Sequence, residues 1–475
     1  MPYAFTLPTT SSLFFSSFIN CNSHPSLILS ASTHRSILRN VLKTHKRLPI
    51  QSQSTNLGTI LSALLDYIPY LSAIDSGLGG KAVSDEELDL ILVREVEVEW
   101  RPSLAASTPG REPQRILARG LDYELCFVLN TLAYTYNLLA RVQLRSLYAA
   151  VTPTPEQRTN AITTATKYLL QANSIHELLV VRTSDLSFPS AAIDVSNMTQ
   201  GSLAALALAE ATLLAVLKDD PYPAAVAQDR NSNDREWMIK APDIPKVRAH
   251  LFARLCLAAA EHATRAYALL NGSKSGIGKG PLDSINDYAR DLKRTSRAKA
   301  CRFFGIDAEL SGKMGHAIAW LNAGKKELGF KDDDSKLKGL SKFKKNWDEK
   351  REDRKIEKGG EWGSDAGRLE EARVIEMLAV KWNKINDTIN VQAVPASDPL
   401  VANMPSGREM YNSKQYVLPT LDEDTLQRLR APPEPGEEGA GSAPSDDSDD
   451  ESKDKKTDVP GAFPQPSSES QSSYY

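Results

Sequence analysis

The stretch Gly120 to Gln143, GLDYELCFVLNTLAYTYNLLARVQ, reads as a helix with almost no side meant for water. Its charges stand at the two ends, Asp122 and Glu124 in the first turn and Arg141 and Arg145 in the last, a placement that suits the helix dipole. Between them Leu121, Leu125, Phe127, Val128, Leu132, Leu138 and Leu139 spread around the whole cylinder, so the helix must be covered on two sides. Lipid is a poor candidate for that cover, because Asn130, Thr131, Thr135 and Asn137 interrupt the apolar surface and acids lead it. Neighbouring helices are the natural cover, which implies a stacked array.

The 475-residue chain is long enough for two or three average domains or for one elongated helical array. Its net charge of −3 hides an asymmetry: Glu434 to Asp458 carries ten acids against three lysines, a local −7 that leaves +4 on the rest. Cys21, Cys126, Cys256 and Cys301 are isolated, two of them within apolar helical patterns, and read as small core residues in a reducing compartment. The opening MPYAFTLPTTSSLFFSSF has no basic n-region and is broken by Pro8 and serines, so no secretory signal is expected. No uninterrupted apolar run reads as long enough to cross a bilayer, and the expected location is cytoplasmic.

After an irregular N-terminal arm, Thr55 to Ile74 has helical spacing with a kink expected at Pro69 and a stop at Gly77 to Gly80. The period then changes to two. Val96, Val98 and Trp100 alternate with Glu95, Glu97 and Glu99, which predicts a half-buried strand. A second strand over 115–119 would turn Ile116 and Ala118 inward and set Arg115 and Arg119 opposite the glutamates, giving a small antiparallel sheet near 94–119. Helices are predicted over 121–148, 155–182 (opened by Thr154-Pro155), 197–218, 244–270 (closed by Asn271-Gly272), 284–311, 313–328 and 367–389. The pair 284–311 and 313–328 looks like a tetratricopeptide-type hairpin. Prolines 395, 399, 405 and 419 exclude a continuous helix over the following stretch, and residues 431–475 read as a disordered acidic tail rich in Pro and Ser.

No catalytic chemistry is legible. Five residues, not four, separate Gly272 from Gly278, and Gly280 follows Lys279, so the phosphate-binding loop pattern is not met. His176-Glu177 begins like a zinc-protease helix, but Val180 stands where the second histidine must be. No metal, cofactor or nucleophile elbow is implied, and His262 and His316 read as structural histidines. Arg290, Lys293, Arg294, Arg297, Lys299 and Arg302 form a basic run against one acid, Asp291. Such a run would suit contact with an acidic membrane or nucleic acid, with Arg290, Lys293, Arg294 and Arg297 as the contact set. The plain alternative is a solvated helix face, and no nucleic acid is expected because no aromatic stacking set accompanies the charges.

Taken in order, the sheet from Val96 to Ala118 and the helices LDYELCFVLNTLAYTYNLLA, NAITTATKYLLQANSIHELL, LAALALAEATLLAVLK and LFARLCLAAAEHATRAYALL resemble the BRO-domain family of ESCRT adaptors. KMGHAIAWLNAGKKEL and REMYNSKQYVLP extend the likeness over residues 1–430, and the opening segment places it nearest the fungal ambient-pH-response branch. The resemblance implies a boomerang-shaped, mainly α array with a tetratricopeptide-like middle. It implies a non-enzymatic scaffold that binds the C-terminal helix of an ESCRT-III core subunit, joins other components of the pH-signalling complex at the cortical or endosomal membrane, and promotes proteolytic activation of the PacC transcription factor. By the same likeness the apolar patch falls at Val216, Leu251 and Leu255, with Tyr411 pinning the C-terminal segment, whereas periodicity alone reads Leu251 and Leu255 as ordinary core leucines. The patch is expected to be shallower than in relatives that carry a bulky aromatic where this chain has Ala215-Val216. Ser445, Ser448 and Ser452 stand among acids, a setting for acidophilic phosphorylation.

Overall fold

Alternation decides the β layer. In a computed structural model, which describes residues 2–105, 112–148, 153–223, 244–272, 280–330 and 362–430, strand β4 (Glu97–Arg101) pairs antiparallel with β5 (Ile116–Arg119). Val96, Val98 and Trp100 are buried as their spacing requires, and Arg119 sits opposite Glu97 with Nε 3.1 Å from Oε1. Two additions lie in the N-terminal arm. Strand β1 (Thr9–Thr10) pairs with the other edge of β4, and β2 (Ile19–Cys21) forms a separate two-stranded sheet with β3 (Leu90–Leu92).

That arm is less irregular than expected, because it also contains α1 (Pro25–Arg47). Leu27, Ile28, Ala31, Leu38 and Leu42 recur at three- and four-residue spacing behind a proline at the first helical positions, a pattern open to sequence reading. The buried Arg35 interrupts that stripe and disguises it. Helix α2 (Ile50–Leu78) keeps Pro69 inside it and packs along α1.

The rest is helix on helix: α3 (Leu121–Arg145), α4 (Pro155–Arg182), α5 (Asn197–Asp219), α6 (Lys246–Gly272), α7 (Pro281–Leu310), α8 (Met314–Glu327), α9 (Arg368–Ile385), α10 (Ser397–Ala402) and α11 (Glu423–Leu429). Each of α3 to α8 packs on the next, which is the stacked arrangement that two-sided burial demands. In α3 the five consecutive residues Leu125 to Leu129 are all fully buried; at 3.6 residues per turn they cover the entire circumference. Helix α4 begins where expected because Thr154 and Gln157 form a capping box. The α7–α8 hairpin closes tightly because Gly324 lies against Ala298, where an added Cβ would meet the Ala298 carbonyl oxygen at 3.4 Å and Ile375 Cδ1 at 2.9 Å. By length and composition α2 and α5 do meet the requirement for a membrane span, contrary to the sequence expectation, yet both contribute buried residues to the packed core.

Glu124 is the main departure in α3. It stands in the first turn as read, but it is fully buried, accepting from Arg35 Nε at 2.8 Å, Tyr67 Oη at 3.0 Å and Trp100 Nε1 at 2.6 Å. Arg35 in turn donates to Thr10 Oγ1 at 2.7 Å and to the Ser11 carbonyl at 2.8 Å. One carboxylate thus ties α1, α2, α3 and the sheet together, using the several acceptor positions that a carboxylate offers.

The four cysteines are buried and unpaired, and burial pushes the thiols of Cys126 and Cys256 up to about 12. Residues 431–475, with Ser445, Ser448 and Ser452, and the charged segment 331–361 lie outside the described residues.

Candidate partner-binding surface

Helices α5 and α6 carry the three patch positions, and the fold brings all three against one core cluster built from α5 to α9. Their orientation differs from the expectation. Val216 is 1% and Leu255 3% exposed, so both face inward, and only Leu251 is partly exposed. The reason is the helical period: residues 249, 252, 253, 255 and 256 of α6 are buried, leaving 247, 251 and 254 toward its rim. Val247, one turn before Leu251, is 83% exposed. The accessible apolar pair at helical spacing is therefore Val247 and Leu251, one turn nearer the N-terminus of α6 than Leu251 and Leu255.

Beyond Leu251, α6 is covered by the chain's own extended segment 403–411. The Arg408 N–H donates to the Arg254 carbonyl at 3.1 Å, Arg254 Nε to the Ser406 carbonyl at 3.2 Å, and the Gly407 N–H to Glu261 Oε1 at 3.2 Å. His262 Nε2 lies 2.9 Å from Glu409 Oε2, a strap contact rather than a core role, while His316 is exposed. Gly407 is required by close approach, since a Cβ there would stand 2.6 Å from the Ala258 backbone nitrogen. Tyr411 packs against the cluster of α3, α4 and α5, and Met404 against that of α5 to α9, so the strap is anchored at both ends.

Beneath this surface lies a buried charge cluster. Arg302 of α7 is fully buried; its Nε reaches Glu371 Oε1 at 2.6 Å and its Nη2 reaches Asp220 Oδ2 at 2.6 Å, while Lys299 Nζ lies 2.7 Å from Glu371 Oε2. The guanidinium also lies over the Phe303 ring at 4.2 Å. Burial pushes Arg302 toward deprotonation, but Asp220 and Glu371 outweigh it and hold it above the ordinary arginine value. The cluster joins the end of α5 to α7 and α9. Two members of the basic run are thereby removed from the surface, because Arg302 and Lys299 face the core. Of the remaining four, Arg297 pairs with Glu327 at 2.8 Å and Arg290 with Asp287 at 2.9 Å, Arg294 lies 4.0 Å from Asp291, and Lys293 has no ion-pair partner among the described residues.

Other buried ionisable groups sit apart from this surface. Among the described residues no three His, Cys, Asp or Glu side chains are grouped to hold a metal ion. Asp194 accepts the Leu104 N–H at 2.8 Å and the Ser103 N–H at 2.5 Å, with no ion-pair partner among the described residues. Burial pushes its carboxyl up to about 7 against the pull of those donors, and pushes Glu210 up to about 6. His176, beside Gln200 at 2.7 Å, is pushed down to about 4 by burial and stays neutral.

These groups act on stability with opposite signs. Between the ordinary carboxylate range and pH 7 native Asp194 holds a proton that the unfolded chain has released, so its contribution falls as pH rises and levels off above about 7. His176 contributes in the other sense, because the unfolded chain binds its proton first as pH falls. A differential measurement separates them. Relative to wild type, Asp194→Asn is expected to gain stability as pH rises from about 4 to about 7, by about 1.4 kcal/mol for each unit of displaced pKa. Urea unfolding at several pH values reads this, and a pH-independent difference would mean that Asp194 titrates normally.

No family model matches the chain. It is 45% identical to the pH-response regulator protein palC of Emericella nidulans, with 98% of each chain covered, and 26% identical to the palC protein of Cryptococcus neoformans var. neoformans serotype D, over 88% of this chain and 92% of that one. Among solved structures it is similar to ALIX in complex with the SIVmac239 PYKEVTEDL late domain, at TM-score 0.53 and 14% identity, over 91% of this chain and 52% of that chain. An ALIX BRO1 complex with CHMP4C gives TM-score 0.49 at 15% identity, over 90% of this chain and 97% of that one. With near-complete coverage of both chains at 45% identity, the chain belongs to the palC family of pH-response regulators.

Proposed function

We propose that this regulator is a non-enzymatic adaptor that takes the amphipathic C-terminal helix of an ESCRT-III core subunit on the rim of α6. The observation that carries the reading is the exposed Val247 beside the partly exposed Leu251, an apolar pair one helical turn apart and bordered by the strap. A helix-in-groove partner uses anchors at that spacing. The partner class follows from the likeness to the BRO-domain family, and so do recruitment to the cortical or endosomal membrane and promotion of PacC proteolysis. The alternative, a membrane or nucleic-acid binder through the whole run Arg290 to Arg302, is weakened because Lys299 and Arg302 are committed to the interior.

Immobilised C-terminal helices of ESCRT-III subunits should capture the wild-type chain. Val247→Asp with Leu251→Asp is expected to lower that binding by about 10-fold or more, the effect of desolvating a charge at an apolar contact, with the chain still folded and a smaller loss of melting temperature than Leu255→Asp causes. Leu255→Asp alone is expected to destabilise the fold by more than about 3 kcal/mol, because it buries an unpaired charge. Retained binding by the Val247/Leu251 variant would remove this surface from consideration. A well-folded Leu255→Asp chain that fails to bind would move the contact to the next turn.

A further inference from the structure

We propose that the cleft bounded by α6, α7, α8 and α10 binds a small polyanion carrying clustered phosphates, either a soluble inositol polyphosphate or the headgroup of a phosphoinositide. The cleft has a volume of about 680 Å³, within the range of small-molecule sites. Arg290, Lys293 and Arg294 line one wall at i, i+3 and i+4 of α7, and Lys326 of α8 faces the same space. Four cations thus converge from two helices, while Tyr267 of α6 and Ser397 of α10 add an aromatic face and a hydroxyl.

The acids around the cleft leave this set available. Glu327 and Asp398 also line the cleft, and Glu327 is bonded to Arg297, which does not. Asp291 lies 3.9 Å from Arg290 and 4.0 Å from Arg294, beyond hydrogen-bond distance, and Asp287 engages Arg290 through an exposed pair. Asp398 touches Lys326 at 3.3 Å with its side chain 84% exposed, a solvated pair of little strength. Lys293 has no partner among the described residues. A phosphate monoester, with close to two charges and three acceptor oxygens, outcompetes a lone solvated carboxylate for such donors, and several phosphates on one ring engage both walls at once. The requirement for clustered phosphates follows from that two-sided arrangement. This inference is independent of the helix-binding surface on α6.

Calorimetric titration of the full chain with myo-inositol hexakisphosphate is expected to give saturable binding that weakens with added salt. Lys293→Glu with Arg294→Glu should weaken it by about 10-fold or more, with circular dichroism and melting unchanged, whereas Lys293→Arg retains it. Should the double variant unfold, Lys293→Glu alone makes the comparison, since that lysine supports no ion pair among the described residues. Inorganic phosphate should bind far more weakly. Unaltered affinity in the charge-reversed chain, equal affinity for inorganic phosphate, or preferential binding of a single-stranded oligonucleotide would each overturn the proposal. Flotation with phosphatidylcholine vesicles containing phosphatidylinositol 4,5-bisphosphate distinguishes the sources: flotation displaced by the soluble probe and lost in the variant identifies the headgroup, and soluble binding without flotation identifies the free polyphosphate.

Discussion

Replacing Arg302 with methionine is expected to destabilise the fold by about 3–5 kcal/mol, the cost of breaking a buried ion pair from one side. Methionine fills much of the same volume, so cavity formation is a minor part of that loss. What remains is electrostatic. Asp220 and Glu371 are buried; Glu371 would keep Lys299, and Asp220 would lose both of its guanidinium contacts. This side chain ties Asp220, just after α5, and Glu371, in the first turn of α9, to α7, so partner binding at α6 should weaken alongside stability. Urea unfolding followed by circular dichroism measures the effect. Removing both carboxylates together with Arg302, by Asp220→Asn and Glu371→Gln, should recover part of the loss, because the desolvation penalty then leaves with the attraction. A loss below about 1 kcal/mol for Arg302→Met would mean that water reaches the cluster.

Glu124→Gln is expected to cost about 3 kcal/mol or more, although it preserves shape. The amide carries no charge to balance the buried Arg35 guanidinium, and an NH2 group in place of Oε2 is a donor that can accept from neither Arg35 Nη2 nor Trp100 Nε1. Burial pushes Arg35 toward deprotonation, and it is chiefly Glu124 that holds it above the ordinary arginine value. A double-mutant cycle with Arg35→Met isolates the pair. Strong coupling is expected, with the double variant more stable than the sum of the single losses, whereas additive losses would show that the two side chains act independently. The consequence extends beyond α3, since the same carboxylate also holds Tyr67 of α2 and Trp100 of β4.

Most elements were readable because their periods are strong. Val96, Val98 and Trp100 alternate, and α4 carries its own capping box, so these elements fall within a residue or two of expectation. Helix α1 escaped because its stripe contains a buried arginine, and an arginine is ordinarily read as surface. The same bias placed Arg302 and Lys299 on a basic face. Their partners, Asp220 and Glu371, stand 82 and 69 residues from Arg302, and no local pattern announces a contact at that range. At the candidate surface, i and i+4 spacing correctly put Leu251 and Leu255 on one side of α6, but spacing does not say which end of that stripe a neighbouring helix covers.

What the sequence determined by itself was the architecture: a helix apolar on every side at 121–145 requires neighbours on two sides, and a run of such helices can only stack. Tertiary structure alone decided which charged residues are interior and which apolar residues are not. Arg35, Glu124 and Arg302 are buried because partners distant in sequence meet them with opposite charge, and Val247, in the first turn of α6, is exposed while Leu255, two turns on, packs into the core. Burial of a side chain depends on what lies across from it, and that is set by the packing of the whole array.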